Sequence, residues 1–126
     1  MHTSKGESLI DNLYFYKGVI TGVYDGDTVT ISLDLGMKIK RDGLKIRLYG
    51  IDSPELRGKT LAKARESRDF LRSKVLGGDI LVQTVRDKKG KYGRYLANIW
   101  VESSDGSWQS VNDLMVSEGY AIHRTK

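Results

Sequence analysis

Alternation of hydrophobic and polar residues predicts five β-strands along this chain. Residues 14–24 are rich in aromatic and β-branched side chains, and two internal glycines indicate a bend in this first strand. The other four predicted strands are residues 28–33, 45–51, 80–85 and 95–101. Such segments are typical of strands that place one face on a core.

Short polar segments that contain glycine predict the turns between these strands. Asp25-Gly26 is a strong hairpin signal between the first two strands. Arg41-Asp42-Gly43 predicts a second turn before the third strand, and Ser104-Asp105-Gly106 predicts a turn after the fifth. Pro54 is expected to end the third strand, because proline cannot continue a hydrogen-bonded ladder.

Residues 60–75 contain neither glycine nor proline and are predicted to form a long helix. Its inward stripe is expected at spacings of three and four residues: Ala64, Ser67, Phe70, Leu71 and Val75. Gly77-Gly78 is expected to end this helix. A short second helix is predicted to begin at the capping residue Ser110, with Asp113 three positions later, and to end near Gly119.

The order of these elements predicts the fold class. Three strands, a helix, two strands and a short helix favour an α+β protein built on a five-stranded OB-type barrel, with the long helix between strands three and four. Residues 1–12 are polar and are expected to be loosely ordered, whereas residues 13–126 are expected to form a single domain.

Composition narrows the possible chemistry. The formal net charge is +5, which favours an acidic partner such as nucleic acid. The chain has no cysteine, and its two histidines lie near opposite ends, which excludes disulfides and thiolate sites and argues against a histidine-rich metal site. Any metal ion is therefore expected to be a hard cation bound by oxygen.

Two basic surfaces are candidates for contact with a polyanion. The long helix carries Lys63, Arg65, Arg68, Arg72 and Lys74 on its outer faces, and residues 86–94 hold five basic residues and one aspartate. The alternative interpretation of the helix charges is an ordinary solvated face. No segment approaches the ~20 apolar residues of a membrane helix, and charges interrupt the first sixteen residues. We therefore expect a protein without membrane contact, cytoplasmic, or secreted if a leader has been removed.

Two acidic segments and one arginine are the candidate chemistry. Asp25-Gly26-Asp27 and Asp52-Ser53-Pro54-Glu55 each have an ordinary structural interpretation, as a hairpin turn and as a helix entry. Carboxylates that converge need a cation between them, and an arginine such as Arg47 beside a metal site suits phosphate chemistry. Asp25-Gly26-Asp27 does not open an EF-hand, because Val29 stands at the third ligand position. Each segment alone is weak evidence, and the occurrence of both acidic segments with Arg47, in this order, is what indicates a phosphate-cleaving site.

Four sequence blocks, in this order, resemble the staphylococcal nuclease (thermonuclease) family. The blocks are residues 23–28 (VYDGDT), 46–55 (IRLYGIDSPE), 91–97 (KYGRYLA) and 111–114 (VNDL). Gly119 and Ala121 also match, and the resemblance as a whole covers about residues 17–122, nearly the whole chain. The resemblance implies an OB-type barrel and a calcium-dependent nuclease that acts on DNA and RNA and leaves 3′-phosphate products.

The resemblance also implies roles for individual residues. Asp27, Asp52 and the backbone carbonyl of Ser53 resemble the calcium ligands of the family. Glu55 resembles the residue that orients or deprotonates the attacking water. Arg47 and Arg94 resemble the pair that binds the scissile phosphate, and Lys91 and Tyr92 resemble residues of the nucleotide pocket, so the site residues implied are Asp27, Arg47, Asp52, Ser53, Glu55, Lys91, Tyr92 and Arg94.

The implied partner is nucleic acid, bound through its phosphate backbone with little sequence preference. Single-stranded DNA, RNA and frayed duplexes are the expected substrates; no obligate protein partner is evident, and oligomerisation is left open. Relative to the family pattern, the segment after Glu55 is shorter, which is expected to change metal access. The carboxy-terminal helix of the family is missing, which predicts lower substrate affinity or a surface supplied by another chain. The alternative is a non-catalytic nucleic-acid or protein-binding module on the same fold.

Overall fold

The computed structural model describes residues 14–85 and 95–124 of the 126-residue chain. The strands are β1 (Phe15–Asp25), β2 (Thr28–Gly36), β3 (Ile39–Leu48), β4 (Ile51–Asp52), β5 (Asp79–Val85), β6 (Tyr95–Glu102), β7 (Trp108–Ser110) and β8 (Ile122–His123). The helices are α1 (Leu61–Val75) and α2 (Val111–Ser117), and a 3₁₀ turn (Gly58–Thr60) precedes α1. The predicted N-terminal segment 1–12 and the basic segment 86–94 lie outside the described residues.

Five strands close into a barrel in the order β3-β2-β1-β5-β6. Neighbours in this order are antiparallel, and the closing pair is parallel, with Ile46 opposite Tyr95 and Leu48 opposite Ala97. The long helix α1 connects the third and fourth barrel strands, β3 and β5. The predicted five-stranded OB-type barrel with a long and a short helix is therefore confirmed.

The barrel interior is filled by the apolar faces that the alternation predicts. In β2 the inward side chains are Val29, Ile31 and Leu33, each at most 4% exposed. On α1, Ala64, Ser67, Leu71 and Val75 are buried as predicted, whereas Phe70 is only partly buried. Its ring stacks on Tyr120 with 4.4 Å between ring centroids. The helix therefore packs its small and aliphatic residues against the core.

The turn between β2 and β3 differs from the prediction. The sequence suggested Arg41-Asp42-Gly43, but the chain reverses at Met37-Lys38, where φ is 54° and 63°. Gly43 lies inside β3 with φ 68°, at a shift in register against β2. Such a left-handed residue inside a ladder is a bulge, which glycine adopts without steric cost. Gly43 thus adopts the left-handed conformation that its sequence context predicts, but this conformation belongs to a bulge rather than to a turn.

The third predicted strand is interrupted between Leu48 and Ile51. Gly50 has φ 78°, and it separates β3 from the two-residue strand β4. There Ile51 pairs with His123 and Asp52 pairs with Ile122 of β8. Sequence reasoning did not find this pairing, because two-residue strands have no measurable alternation. The consequence is that the end of the described chain holds the segment that carries Asp52.

The short helix α2 is joined through Asn112 to the turn that precedes this segment. Its predicted cap is confirmed, with the Asp113 amide donating to Ser110 Oγ at 3.2 Å. Asn112 is 3% exposed; its Oδ1 accepts from the Ile99 amide at 3.0 Å, and its Nδ2 donates to the carbonyls of Ala97 and Tyr49 at 3.1 and 3.0 Å. Asn112 thus satisfies backbone groups where β3 separates from β6.

No helix in residues 14–85 and 95–124 has the length and the apolar composition that crossing a membrane requires.

Candidate active site

The turn between β1 and β2 is packed tightly against the rest of the molecule. A Cβ atom at Gly26 would lie 1.9 Å from Ser67 Oγ and 2.7 Å from Ser53 Cβ, so a side chain has no room there. The main chain of the turn is also bound to β3, because the Leu48 amide donates to the Asp27 carbonyl at 2.7 Å. Asp27 is therefore held by packing on one side and by a hydrogen bond on the other.

The carboxylate of Asp27 is buried and hydrogen-bonded. The residue is 7% exposed. Its Oδ1 accepts from Thr28 Oγ1 at 3.0 Å, and its Oδ2 accepts from the backbone amide of Ser53 at 2.9 Å. These two hydrogen bonds fix the orientation of the buried carboxylate. The bond to Ser53 also joins the first acidic segment to the second.

Arg47 brings the two acidic segments together. Its Nη2 lies 3.4 Å from Asp27 Oδ2 and also contacts Asp52 Oδ1. The Arg47 side chain is 12% exposed. Its position follows from the register, which places Arg47 opposite Thr28, the residue after Asp27. The contacts engage one nitrogen of a guanidinium that has five N–H donors, so the group keeps capacity for an anion.

The oxygen atoms at this position fit a hard divalent cation. Asp27 and Asp52 both contact a positive charge that lies between them, and Ser53 follows Asp52 directly in the chain. Ser53 Oγ is buried and has no hydrogen-bond partner within the described part of the chain. Within residues 14–85 and 95–124, no group of three or more His, Cys, Asp or Glu side chains could hold a metal ion. A cation here would therefore rely on few protein oxygens, and water and substrate would complete its shell.

Glu55 lies apart from this cluster. Its side chain is 69% exposed, and Oε2 forms an ion pair with Arg57 Nε at 2.8 Å. Its backbone carbonyl accepts from Thr60 Oγ1 at 2.7 Å, which orders the segment that enters α1. The structure thus brings Asp27, Arg47, Asp52 and Ser53 together but does not join the Glu55 carboxylate to them.

Three predicted site residues, Lys91, Tyr92 and Arg94, lie outside the described residues. The described chain resumes at Tyr95, which pairs with Ile46, the residue before Arg47. The roles of Lys91, Tyr92 and Arg94 therefore remain those that the resemblance implies.

Sequence reasoning missed residues that complete the surroundings of Asp52. Arg124 Nη1 lies 3.9 Å from Asp52 Oδ1, and the Arg124 amide donates to the Gly50 carbonyl at 2.8 Å. Asn112 binds the carbonyl of Tyr49 in the same turn. No local pattern around Arg124 indicates this contact, because it depends on the pairing of β4 with β8.

Asp25 is an additional titratable group beside the cluster. Burial raises the pKa of its carboxyl to about 6, and a hydrogen bond to Asp27 and the charge of Asp27 act in the same direction. The unfolded chain binds fewer protons than the folded chain between the ordinary pKa of 3.8 and this value. The free energy of unfolding therefore falls as the pH rises through this window, and the charged carboxylate destabilises the fold above it.

We expect Asp25→Asn to raise the free energy of unfolding at pH ~7.5 by about 1 kcal/mol after solvent screening, in the presence of a chelator. The amide oxygen can still accept from the Asp27 amide, which donates to Asp25 Oδ1 at 3.0 Å. This gain in the free energy of unfolding should disappear near pH ~4, because the Asp25 carboxyl of the unaltered protein is then protonated in the folded state and is neutral like the amide. Urea unfolding at both pH values measures this difference, and an equal change at both would contradict the assignment.

The chain is similar to a described protein family and to an archaeal protein. A sequence profile described as Staphylococcal nuclease homologue matches residues 45–126, a range that includes Arg47, Asp52 and Glu55. An uncharacterized protein of Methanocaldococcus jannaschii is 27% identical over 135 aligned positions, which cover 90% of this chain and 62% of that protein. The chain therefore spans less than two thirds of the length of this relative. On the profile match over more than half of its length, the chain belongs to the staphylococcal nuclease homologue family.

Proposed function

We propose that this chain is a calcium-dependent phosphodiesterase that hydrolyses DNA, and also RNA, with little sequence preference. The observation that carries the proposal is the convergence of Asp27 and Asp52 on the guanidinium of Arg47, beside Ser53. Membership of a nuclease-like family supports it. The net charge of +5 also favours a polyanionic partner.

Asp27, Asp52 and the backbone carbonyl of Ser53 would hold the calcium ion. All three supply oxygen, which is the donor that calcium prefers. When bound, calcium supplies a Lewis acid that polarises a phosphate oxygen and makes a bound water more acidic. The Ser53 amide and Thr28 Oγ1 orient the Asp27 carboxylate, so this ligand is positioned before a cation binds.

Arg47 would bind the scissile phosphate, together with Arg94. Negative charge gathers on the equatorial phosphate oxygens in the transition state, and a guanidinium can bind two of them at once. The Arg47 side chain is largely buried, so little water surrounds it, and its electrostatic interaction with the phosphate is stronger. Lys91 and Tyr92 would contact the nucleotide, as the resemblance implies.

Glu55 would orient the attacking water or accept its proton. Its pair with Arg57 is exposed on both sides, and such surface pairs contribute at most about 1 kcal/mol. Glu55 can therefore leave Arg57 when substrate binds. Attack on phosphorus with loss of the 5′-oxygen leaves a 3′-phosphate on one product and a 5′-hydroxyl on the other.

Hydrolysis of a fluorescent single-stranded oligonucleotide, with calcium and then with a chelator, tests this proposal. We expect cleavage with calcium, loss of cleavage with the chelator, and 3′-phosphate ends on the products. Cleavage that persists in the chelator would contradict the role of calcium. Binding without cleavage under both conditions would instead support the alternative, a non-catalytic binding module on the same barrel.

A further inference from the structure

A second arginine, Arg124, lies beside Asp52. The pairing of β4 with β8 places Ile122 opposite Asp52, and the Arg124 amide donates to the Gly50 carbonyl at 2.8 Å. The main chain of Arg124 is therefore held next to the turn that leads to Asp52. Its guanidinium Nη1 lies 3.9 Å from Asp52 Oδ1, the same oxygen that Arg47 contacts.

The side chain of Arg124 is not committed to this carboxylate. The separation of 3.9 Å exceeds that of a hydrogen bond, and the side chain is 57% exposed. Pairs of this kind contribute little to stability, because water screens the charges and both side chains lose conformational freedom. The guanidinium fork therefore remains available to a stronger acceptor, and phosphate is the acceptor that it matches bidentately.

The guanidiniums of Arg47 and Arg124 both approach the same oxygen of Asp52, Oδ1. Asp52 is a proposed calcium ligand and is expected to stay in place when substrate binds, and Arg47 is proposed to bind the scissile phosphate together with Arg94. Arg47 is the inner group, with a side-chain exposure of 12%, and Arg124 is the outer one. Two neighbouring phosphates along a strand can engage the two arginines and leave Asp52 in place.

We propose that Arg124 binds a second phosphate of the substrate, adjacent to the phosphate that Arg47 binds. This inference rests on the proposed function and specifies the substrate of the site as a strand with at least two consecutive phosphodiesters. Arg124 is then a substrate-binding residue that favours oligonucleotides over dinucleotides. It takes no part in the bond cleavage.

Equilibrium binding of two probes by the full chain tests the inference. The probes are two fluorescent thymidine oligomers, a dinucleotide with one phosphodiester and a pentanucleotide with four. Binding is measured by fluorescence anisotropy in the presence of a chelator, so that the probes are not cleaved. The main variant is Arg124→Gln, and Arg124→Lys keeps the charge without the fork. The bond from the Arg124 amide to Gly50 involves the main chain, so both variants retain it.

Arg41→Gln is the matched control. Arg41 is exposed on the same strand as Arg47, six positions earlier, which corresponds to about 20 Å along a strand. The control removes the same charge from the far end of β3. Thermal unfolding of each variant verifies that the fold is retained.

We expect Arg124→Gln to weaken pentanucleotide binding about tenfold, the effect of one charge-assisted contact, and to leave dinucleotide binding unchanged. The slope of log K against log salt should decrease by about 0.7 for the pentanucleotide. Arg124→Lys should recover part of the affinity, and Arg41→Gln should change it less than about twofold.

Three results would overturn the inference. Equal weakening of both probes by Arg124→Gln would place Arg124 on the same phosphate as Arg47. Unchanged binding of the pentanucleotide would remove Arg124 from the substrate surface while leaving the proposed nuclease intact. Binding of neither probe by the unaltered chain, together with no hydrolysis of longer strands in calcium, would overturn the proposed function as well.

Discussion

Arg47→Lys is expected to lower kcat for hydrolysis of single-stranded DNA by about two to three orders of magnitude. Lysine keeps the positive charge between Asp27 and Asp52, so the buried carboxylate of Asp27 does not lose its countercharge. It lacks the planar fork that binds two phosphate oxygens simultaneously. The loss is therefore expected in the transition state, and KM should change much less than kcat.

Lysine is a sharper test than alanine at this position. Arg47→Ala would leave Asp27, which is 7% exposed, without its cationic partner, and an unpaired buried charge destabilises the fold. Arg41→Lys makes the same chemical change at an exposed position of β3 and should leave kcat unaltered. Steady-state kinetics and thermal unfolding of both variants measure the comparison. Near-normal turnover of Arg47→Lys would show that another residue stabilises the transition state.

The members of the acidic cluster could be predicted from local patterns, whereas the register that joins them could not. Asp25-Gly26 places Asp27 at a hairpin, but alternation fixes only which face of β2 and β3 points inward, and a shift by two residues keeps that alternation. The pairing of Thr28 with Arg47 depends on the turn at Met37-Lys38, which the glycine pattern did not predict. Asp52 follows five residues after Arg47, so a short connection carries it back to the same arginine. Motif spacing was therefore sufficient to identify Asp27, Arg47 and Asp52, but not to derive the strand register that brings Asp27 to Arg47.

The surroundings of Asp52 could not be predicted in this way. The pairing of β4 with β8 rests on two residues in each strand, and the contact of Arg124 with Asp52 depends on that pairing. Asn112 joins α2 to the turn at Tyr49 through side-chain bonds to the backbone, which have no sequence period. Gly43 does adopt left-handed backbone, but a bulge and a turn both require that conformation, so the glycine alone does not distinguish them. Long-range contacts and equivalent local conformations are thus the limits of sequence reasoning here.

Glu55→Gln is expected to lower kcat by about two to four orders of magnitude, the range typical of a lost general base. The amide has the size of the carboxylate but cannot accept a proton at neutral pH. Because Glu55 is exposed and lies outside the cluster of Asp27, Arg47 and Asp52, its replacement should leave the fold and nucleotide affinity almost unchanged. Hydrolysis rates in calcium and anisotropy in a chelator measure the two quantities separately. Equal losses in turnover and in affinity would argue against the role of Glu55 as base.

Arg57→Gln separates the two roles that Glu55 could have. In the structure Glu55 contacts Arg57 at 2.8 Å, and a base must leave this partner in order to reach water at the phosphate. If the exposed pair only holds the resting carboxylate, its removal should change kcat less than about threefold, since such a pair contributes at most about 1 kcal/mol. If Arg57→Gln instead lowers kcat as much as Glu55→Gln does, the ion pair itself is the functional unit. The general base would then have to be sought elsewhere, and the exposed position of Glu55 would be its working position.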